Sequence, residues 1–286
     1  MYPRLLEIPL PFSGVPSITI YTYGLLLAAA YLFGLKLAMV RGKKRQLDEV
    51  RVLDLGIYII IAALVGAKLL LFLIDFRGYT SSPAELLNLA REGGVFYGGL
   101  VLAVAVALWY IRRVGLPLWT TCDVFAPGVA LGNAIGRFGC FFAGCCYGRP
   151  TTVPWAVTFT DRFAGMNSGT PLNVPLHPTQ LYEAAAGAAI LGLLLATESR
   201  GRRFAGRTFW LYVLLYSVAR FVIEYFRNDP RGTVPVLSIV FSTSQFISLI
   251  LAPLAIVMLA YLSRRAQAPE PQRGLQAGDG LLVAAL

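Results

Sequence analysis

Tyr216, Arg220, Glu224 and Arg227 follow one another at spacings of four, four and three, so a helix carries them on one face. A guanidinium stays charged at any accessible pH, and its fork matches two oxygens of a phosphate or carboxylate. The face therefore reads either as an Arg220–Glu224 pair that lets a charged helix sit among apolar neighbours or as an anion clamp in which Glu224 orients Arg220. Further upstream, Gly136-Arg-Phe-Gly-Cys-Phe-Phe-Ala-Gly-Cys-Cys-Tyr-Gly-Arg149 sets glycine-rich backbone beside two arginines. That combination suits a phosphate or glycerol headgroup, or an aromatic-anchored helix end. Cys140, Cys145 and Cys146 share the segment, but an adjacent pair lacks the usual Cys-x₂-Cys spacing and His177 is the one histidine, so no metal is expected. A disulfide from Cys140 to one of the pair, or plain packing thiols, remain open. For His177 a structural role, its ring bonded to Glu183 or a loop carbonyl, is favoured over direct proton transfer.

These residues need a scaffold, and the composition says which solvent it faces. Of 286 residues, 57% are hydrophobic and 14% charged, against about 25% charged in soluble domains. That deficit excludes disorder and an ordinary soluble domain and points to lipid. Seven apolar runs, near 18–40, 52–74, 95–111, 119–142, 181–197, 208–226 and 236–262, approach the ~20 residues that a crossing needs. The segment before the first run has no basic leader with a cleavage site, so no removable signal peptide is expected.

The net charge of +10 would ordinarily raise nucleic acid as a partner. Its distribution argues for membrane orientation instead. Segments 41–51, 112–118, 198–207 and 263–286 hold 14 Lys and Arg, and the alternate segments 1–17, 75–94, 143–180 and 227–235 hold 7. The basic set is expected in the cytoplasm, which puts the N-terminus outside and the C-terminus inside. The expected fold class is thus an all-α integral membrane protein of about seven transmembrane helices, with a small extracytoplasmic loop region over 150–178. Residues 1–265 form one domain and 266–286 a flexible cytoplasmic tail.

Ionisable groups within spans are costly and single out functional positions. Arg220 lies twelve residues into the sixth run, ~18 Å at 1.5 Å per residue, in the outer half. Arg137 falls near the outer end of the fourth run. Tyr23, Tyr97 and the block His177-Pro-Thr-Gln-Leu-Tyr182-Glu183 fall at the outer ends of others, so several helices aim polar groups at one leaflet. Lys36 is expected to snorkel to the cytoplasm; Lys68 is open between snorkelling outward and pairing with a carboxylate. Gly128, Gly132 and Gly136 give the fourth run a smooth face for another helix.

Five blocks, Tyr23-Gly-Leu25, Tyr97-Gly-Gly-Leu100, Gly136-Arg-Phe-Gly, His177-Pro-Thr-Gln-Leu-Tyr-Glu-Ala184 and Arg220-Phe-Val-Ile-Glu-Tyr-Phe-Arg227, resemble in order and separation the prolipoprotein diacylglyceryl transferases of bacteria. The resemblance implies a multi-pass inner-membrane enzyme with no metal or organic cofactor. Such an enzyme moves a diacylglyceryl group from phosphatidylglycerol to the lipobox cysteine of a prolipoprotein signal peptide, forming a thioether and releasing glycerol phosphate. It implies that Arg137 and Arg220 bind the headgroup and that Glu224 is the acidic partner; Tyr23, His177, Tyr182, Glu183 and Tyr216 are the further substrate-binding candidates. Where the family's presumed base, a histidine, precedes Gly-Gly-Leu, this chain has Tyr97; Cys140, Ala143 and Cys145 replace its usual Asn, Asn and Glu. Arg137, Arg220 and Tyr97 are accordingly the catalytic candidates. A phenol with pKa ~10 is a weak base at neutral pH, so a catalytically silent lipid- or lipoprotein-binding relative is the alternative. A transporter would be expected to place its polar groups near the midplane.

Overall fold

A computed structural model of the chain describes residues 3–8, 18–80, 82, 85, 89, 93–200, 204–229, 232–236 and 239–266. Its long helices are α1 (Thr22–Lys44), α2 (Glu49–Ile74), α4 (Phe96–Val114), α5 (Leu118–Ala143), α7 (Thr179–Arg200), α8 (Arg207–Glu224) and α9 (Thr243–Arg265). Two short helices, α3 (Phe76–Tyr79) and α6 (Arg162–Ser168), lie in the connections. Three two-stranded antiparallel ribbons complete the described residues: β1 (Arg4–Ile8) with β2 (Ile18–Tyr21), β3 (Val157–Thr158) with β4 (Pro175–Leu176), and β5 (Thr233–Val236) with β6 (Ile239–Ser242).

Six helices, α1, α2, α4, α5, α7 and α9, are long and apolar enough to cross a membrane. The seventh expected crossing, α8, has 18 residues and carries Arg207, Arg220 and Glu224 among them, too many charges for composition alone to mark it as a span. Two expected limits also move. Ile18–Tyr21 and Ile239–Ser242 are strands that precede α1 and α9, because β-branched and aromatic residues beside a hairpin partner pair more readily than they coil. Helix α9 instead starts at a capping box, Ser242 accepting from Gln245 N while the Gln245 side chain accepts from Ser242 N.

Small residues set the closest helix contacts. A Cβ on Gly128 of α5 would lie 2.5 Å from the Gly34 carbonyl oxygen of α1, and one on Gly98 of α4 would lie 2.4 Å from that of Gly66 on α2. Gly132 faces Ala30 in the same seam, so the expected smooth face is used; at Gly136 the space is open. Lys68 donates to the Leu89 carbonyl at 2.7 Å, reaching beyond α2. The α2–α4 pair joins the rest chiefly at one end, through Leu55, Tyr110, Ile111 and Leu116 with Leu47 and Phe125 packed on them. We call this the basic end, since Arg41, Lys43 and Lys44 close α1 there and Arg112 and Arg113 close α4.

At the opposite end α5 stops at Gly144 (φ 78°), and the chain builds a small lobe from β3, α6 and β4 around Tyr147, Phe159 and Leu176. This is the loop region expected over 150–178. Helix α7 then starts at Thr179 and returns toward the basic end, leaving the end of α5, the start of α7 and the end of α8 side by side.

Candidate active site

Glu183, on the first turns of α7 and 3% exposed, is the hub of the site. Its Oε2 lies 2.8 Å from Arg137 Nη2 of α5, and its Oε1 lies 2.8 Å from Arg220 Nη1 of α8 and is also paired with Arg227 Nη1. Glu224 Oε2 sits 2.7 Å from Arg220 Nη2, and Asp229 accepts from Arg227 Nε and Nη2, both at 2.9 Å. Three guanidinium groups thus meet three carboxylates, which is what makes their burial tolerable: an unpaired charge at such a depth costs several kcal/mol. Glu224 orients Arg220, as the four-residue spacing suggests. The partner common to all three arginines, however, is Glu183, which the sequence reading places only among the substrate-binding residues.

The arginines differ in how many donors they have spent. Arg220 also reaches Ser244 Oγ at 3.0 Å on α9, and Arg227 uses all three nitrogens. Arg137, whose side chain is 18% exposed, has its ion pair with Glu183 through Nη2. It is therefore the guanidinium best able to turn donors toward an incoming anion.

Aromatic residues border the charges. His177 Nδ1 lies 3.0 Å from the Tyr182 hydroxyl, which accepts from Trp155 Nε1 at 2.7 Å. The His177 ring packs edge-on against Phe226 at 5.2 Å. The expected ring partner, Glu183 or a loop carbonyl, is thus replaced by a phenol, while the Glu183 carboxylate faces the arginines. Gly148 fits beneath: its N donates to the His177 carbonyl at 3.1 Å, and a Cβ there would lie 2.5 Å from the same oxygen. Tyr216 stacks on Tyr212 at 5.7 Å and interacts electrostatically with Arg137.

The thiols converge as well. The Sγ atoms of Cys140, Cys145 and Cys146 all lie within 4.8 Å of one another, and all three are free. Arg137 interacts electrostatically with Cys140 and Cys146, and Arg227 with Cys146. Tyr23 of α1 packs beside Gly139 and is close enough to feel all three. Tyr97 stands apart, on the first turn of α4, 43% exposed and in edge contact with Phe96. Among the described residues no bond or ring contact ties it to the arginines.

Arg227, Asp229 and Ser244 were not among the expected site residues. Arg227 was readable from its spacing after Glu224, although α8 ends at Glu224 and Arg227 follows it in an antiparallel bridge with Gly148 rather than on the expected helix face. Asp229 and Ser244 gave no such signal, since they arrive only when the chain turns after α8 and α9 packs alongside.

The model of the prolipoprotein diacylglyceryl transferase family matches residues 9–261, which include every residue of this group. The chain belongs to that family. Among curated relatives, the phosphatidylglycerol–prolipoprotein diacylglyceryl transferase of Clostridium tetani (strain Massachusetts / E88) is 37% identical over 233 residues, 82% of this chain and 89% of that protein. The second such transferase of Clostridium perfringens (strain 13 / Type A) is 33% identical over 82% of this chain and 87% of its own length. The Geobacter sulfurreducens protein of that name is 32% identical over 84% and 88%. In this member of the family Arg137, Glu183 and Arg220 lie where α5, α7 and α8 meet.

Proposed function

We propose that this protein transfers the diacylglyceryl group of phosphatidylglycerol to the lipobox cysteine thiol of prolipoproteins in the bacterial inner membrane, forming a thioether and releasing glycerol phosphate. The observation that carries the reading is the gathering of Arg137, Arg220 and Arg227 on Glu183 within a chain of this family. A phosphodiester arriving beside Arg137 meets donors that Glu183 does not occupy, and Arg220, fixed by Glu224 and Ser244, supports the second flank. In the reaction the client thiolate forms a C–S bond at the lipid's glycerol carbon. The C–O bond breaks with its electron pair moving onto the phosphate oxygen, where the extra charge develops next to guanidinium. His177, Tyr182, Tyr216 and Tyr23 border this volume as headgroup contacts, and Tyr97 hydrogen-bonds lipid or client at the lip.

The accompanying topology is seven crossings, α8 included, with the site end outside and the basic end in the cytoplasm, supported by the 14-to-7 bias of Lys and Arg. Residues 1–265 are the enzyme domain and 266–286 its tail, of which all but Ala266 lies outside the described residues. In a background lacking the native cysteines, single cysteines at 42–51 and at 150–175 test the orientation. An impermeant maleimide applied from outside labels only the second set; the reverse pattern overturns it.

The exposure of Tyr97 favours one further reading, a catalytically silent relative that binds the same lipid and client. Release of glycerol phosphate from phosphatidylglycerol and a lipobox peptide, together with growth of a bacterium depleted of its own transferase, supports the enzyme. Binding without release supports the silent relative.

A further inference from the structure

The three thiols are held by a turn that is itself built with care. Gly144 (φ 78°) and Cys146 (φ 62°) both take left-handed backbone. For a cysteine this is uncommon, and such strain, of order 1–3 kcal/mol, persists only where the surroundings impose it. Those surroundings are visible: the carbonyls of residues 144, 145 and 146 each accept a side-chain donor, from Thr170 Oγ1 at 2.6 Å, Gln180 Nε2 at 2.7 Å and Thr179 Oγ1 at 2.8 Å. Thr179 and Gln180 are fully buried. The alternating backbone overcomes the spacing problem of an adjacent Cys pair, because Cys145 and Cys146 are both swung back toward Cys140 of the last turn of α5.

We propose that Cys140, Cys145 and Cys146 form a three-thiolate site for a zinc ion whose fourth position receives the client cysteine. Sulfur atoms about 2.3 Å from a tetrahedral zinc lie ~3.8 Å apart, within the 4.8 Å spread seen here. Three thiolates on a dication carry one net negative charge, and the guanidinium groups of Arg137 and Arg227 lie near enough to interact with it. An open fourth ligand position is the arrangement by which zinc presents a reacting group, and a thiol bound there is deprotonated outright.

The inference deepens the transferase reading and rests on it, since it accounts for two departures from the family together. A client thiol bound to zinc gives its proton to water and attacks as thiolate, so Tyr97 need not act as base; Cys140 and Cys145 stand at two of the three positions where the resemblance implies Asn, Asn and Glu. The balance is that of the transfer already described: one C–S bond forms, one C–O bond breaks, the phosphate oxygen takes the electron pair, and zinc keeps its charge.

The test uses the full-length protein extracted without chelators. Elemental analysis is expected to find zinc near stoichiometry, falling to background in Cys140→Ser, Cys145→Ser and Cys146→Ser but not in Cys122→Ser, a thiol near the opposite end of α5. Exchange of zinc for Co(II) in the wild-type protein gives a second readout that needs no variant. A thiolate-to-metal charge-transfer band is expected, shifting with a lipobox peptide and not with its Cys→Ser analogue. Protein that folds without metal, with three alkylatable thiols or a disulfide, overturns the proposal, as does full transfer activity in the metal-free triple-serine protein; the latter leaves the transferase reading intact. Zinc with a peptide-sensitive cobalt spectrum, but no glycerol phosphate released, sinks the transferase reading and leaves the metal site standing.

Discussion

The two ends of the bundle each bury an arginine–glutamate group, and the groups are built differently. At the basic end Glu198 of α7 pairs with Arg41 of α1 and accepts from Thr208 Oγ1 at 3.0 Å. Arg41 also donates to the carbonyls of Asp123 and Val124, both at 3.3 Å. The Asp123 carboxylate accepts from Gly206 N and Phe209 N, both at 2.8 Å, capping α8. There, much of the bonding ends on backbone. At the site end, ~22 Å away by the fifteen residues of α7 between Glu198 and Glu183, bonding runs chiefly from side chain to side chain, and among the described residues Arg137 keeps donors to spare. Backbone partners cannot leave without unwinding a helix, whereas side-chain partners can be exchanged for an incoming anion. The first arrangement fastens helices, and on the proposed reading the second handles charge.

The comparison breaks first at Arg137. Arg137→Ala and Arg220→Ala are each expected to abolish transfer at normal abundance, and lysine at either position to restore it only in part, since ammonium supplies charge without the fork. Glycerol phosphate release from purified protein measures this; full activity in Arg220→Ala would remove the clamp from the mechanism. Next comes the basic end. Arg41→Met leaves Glu198 and two carbonyls without this donor and is expected to cost about 3–5 kcal/mol of stability, with turnover per folded molecule unchanged. Thermal unfolding in detergent beside specific activity separates the two quantities, and a loss of turnover without a loss of stability would mean the two ends do not divide their roles.

Glu224→Gln sharpens the contrast within the site, because it loosens one of the holds on Arg220 and leaves Glu183 in place. Transfer should fall less than in Arg220→Ala, with KM for phosphatidylglycerol rising more than kcat drops. The smallest effect is expected at Tyr97, which belongs to neither group. Tyr97→Phe should lose about threefold to tenfold, the value of one neutral hydrogen bond of 0.5–1.5 kcal/mol. A loss beyond about a hundredfold with an altered pH profile would make Tyr97 the base, and in that case Tyr97→His should retain or improve activity, the imidazole pKa being near 6.5.

Much of this was legible in the chain because lipid makes composition informative. Six of the seven expected spans are helices that satisfy length and apolarity, and the Tyr216–Arg220–Glu224 face followed from helical periodicity, whereas Arg227, expected on the same helix, lies just past its end in a bridge with Gly148. So did the close approach at Gly128 and Gly132. Partnership was the part that only tertiary structure decided. A four-residue spacing identifies Glu224 as a partner for Arg220, but nothing in the order of residues says that Glu183, 37 positions earlier, takes Arg137, Arg220 and Arg227 together. Likewise, an adjacent Cys145–Cys146 pair argues against a metal until the left-handed turn at Gly144 and Cys146 is seen to bring both thiols back to Cys140. The physical reason is the same in both cases. Periodicity and solvent preference act on neighbours along a helix, whereas the energy of a buried charge or thiol depends on which distant groups the packed helices deliver to it.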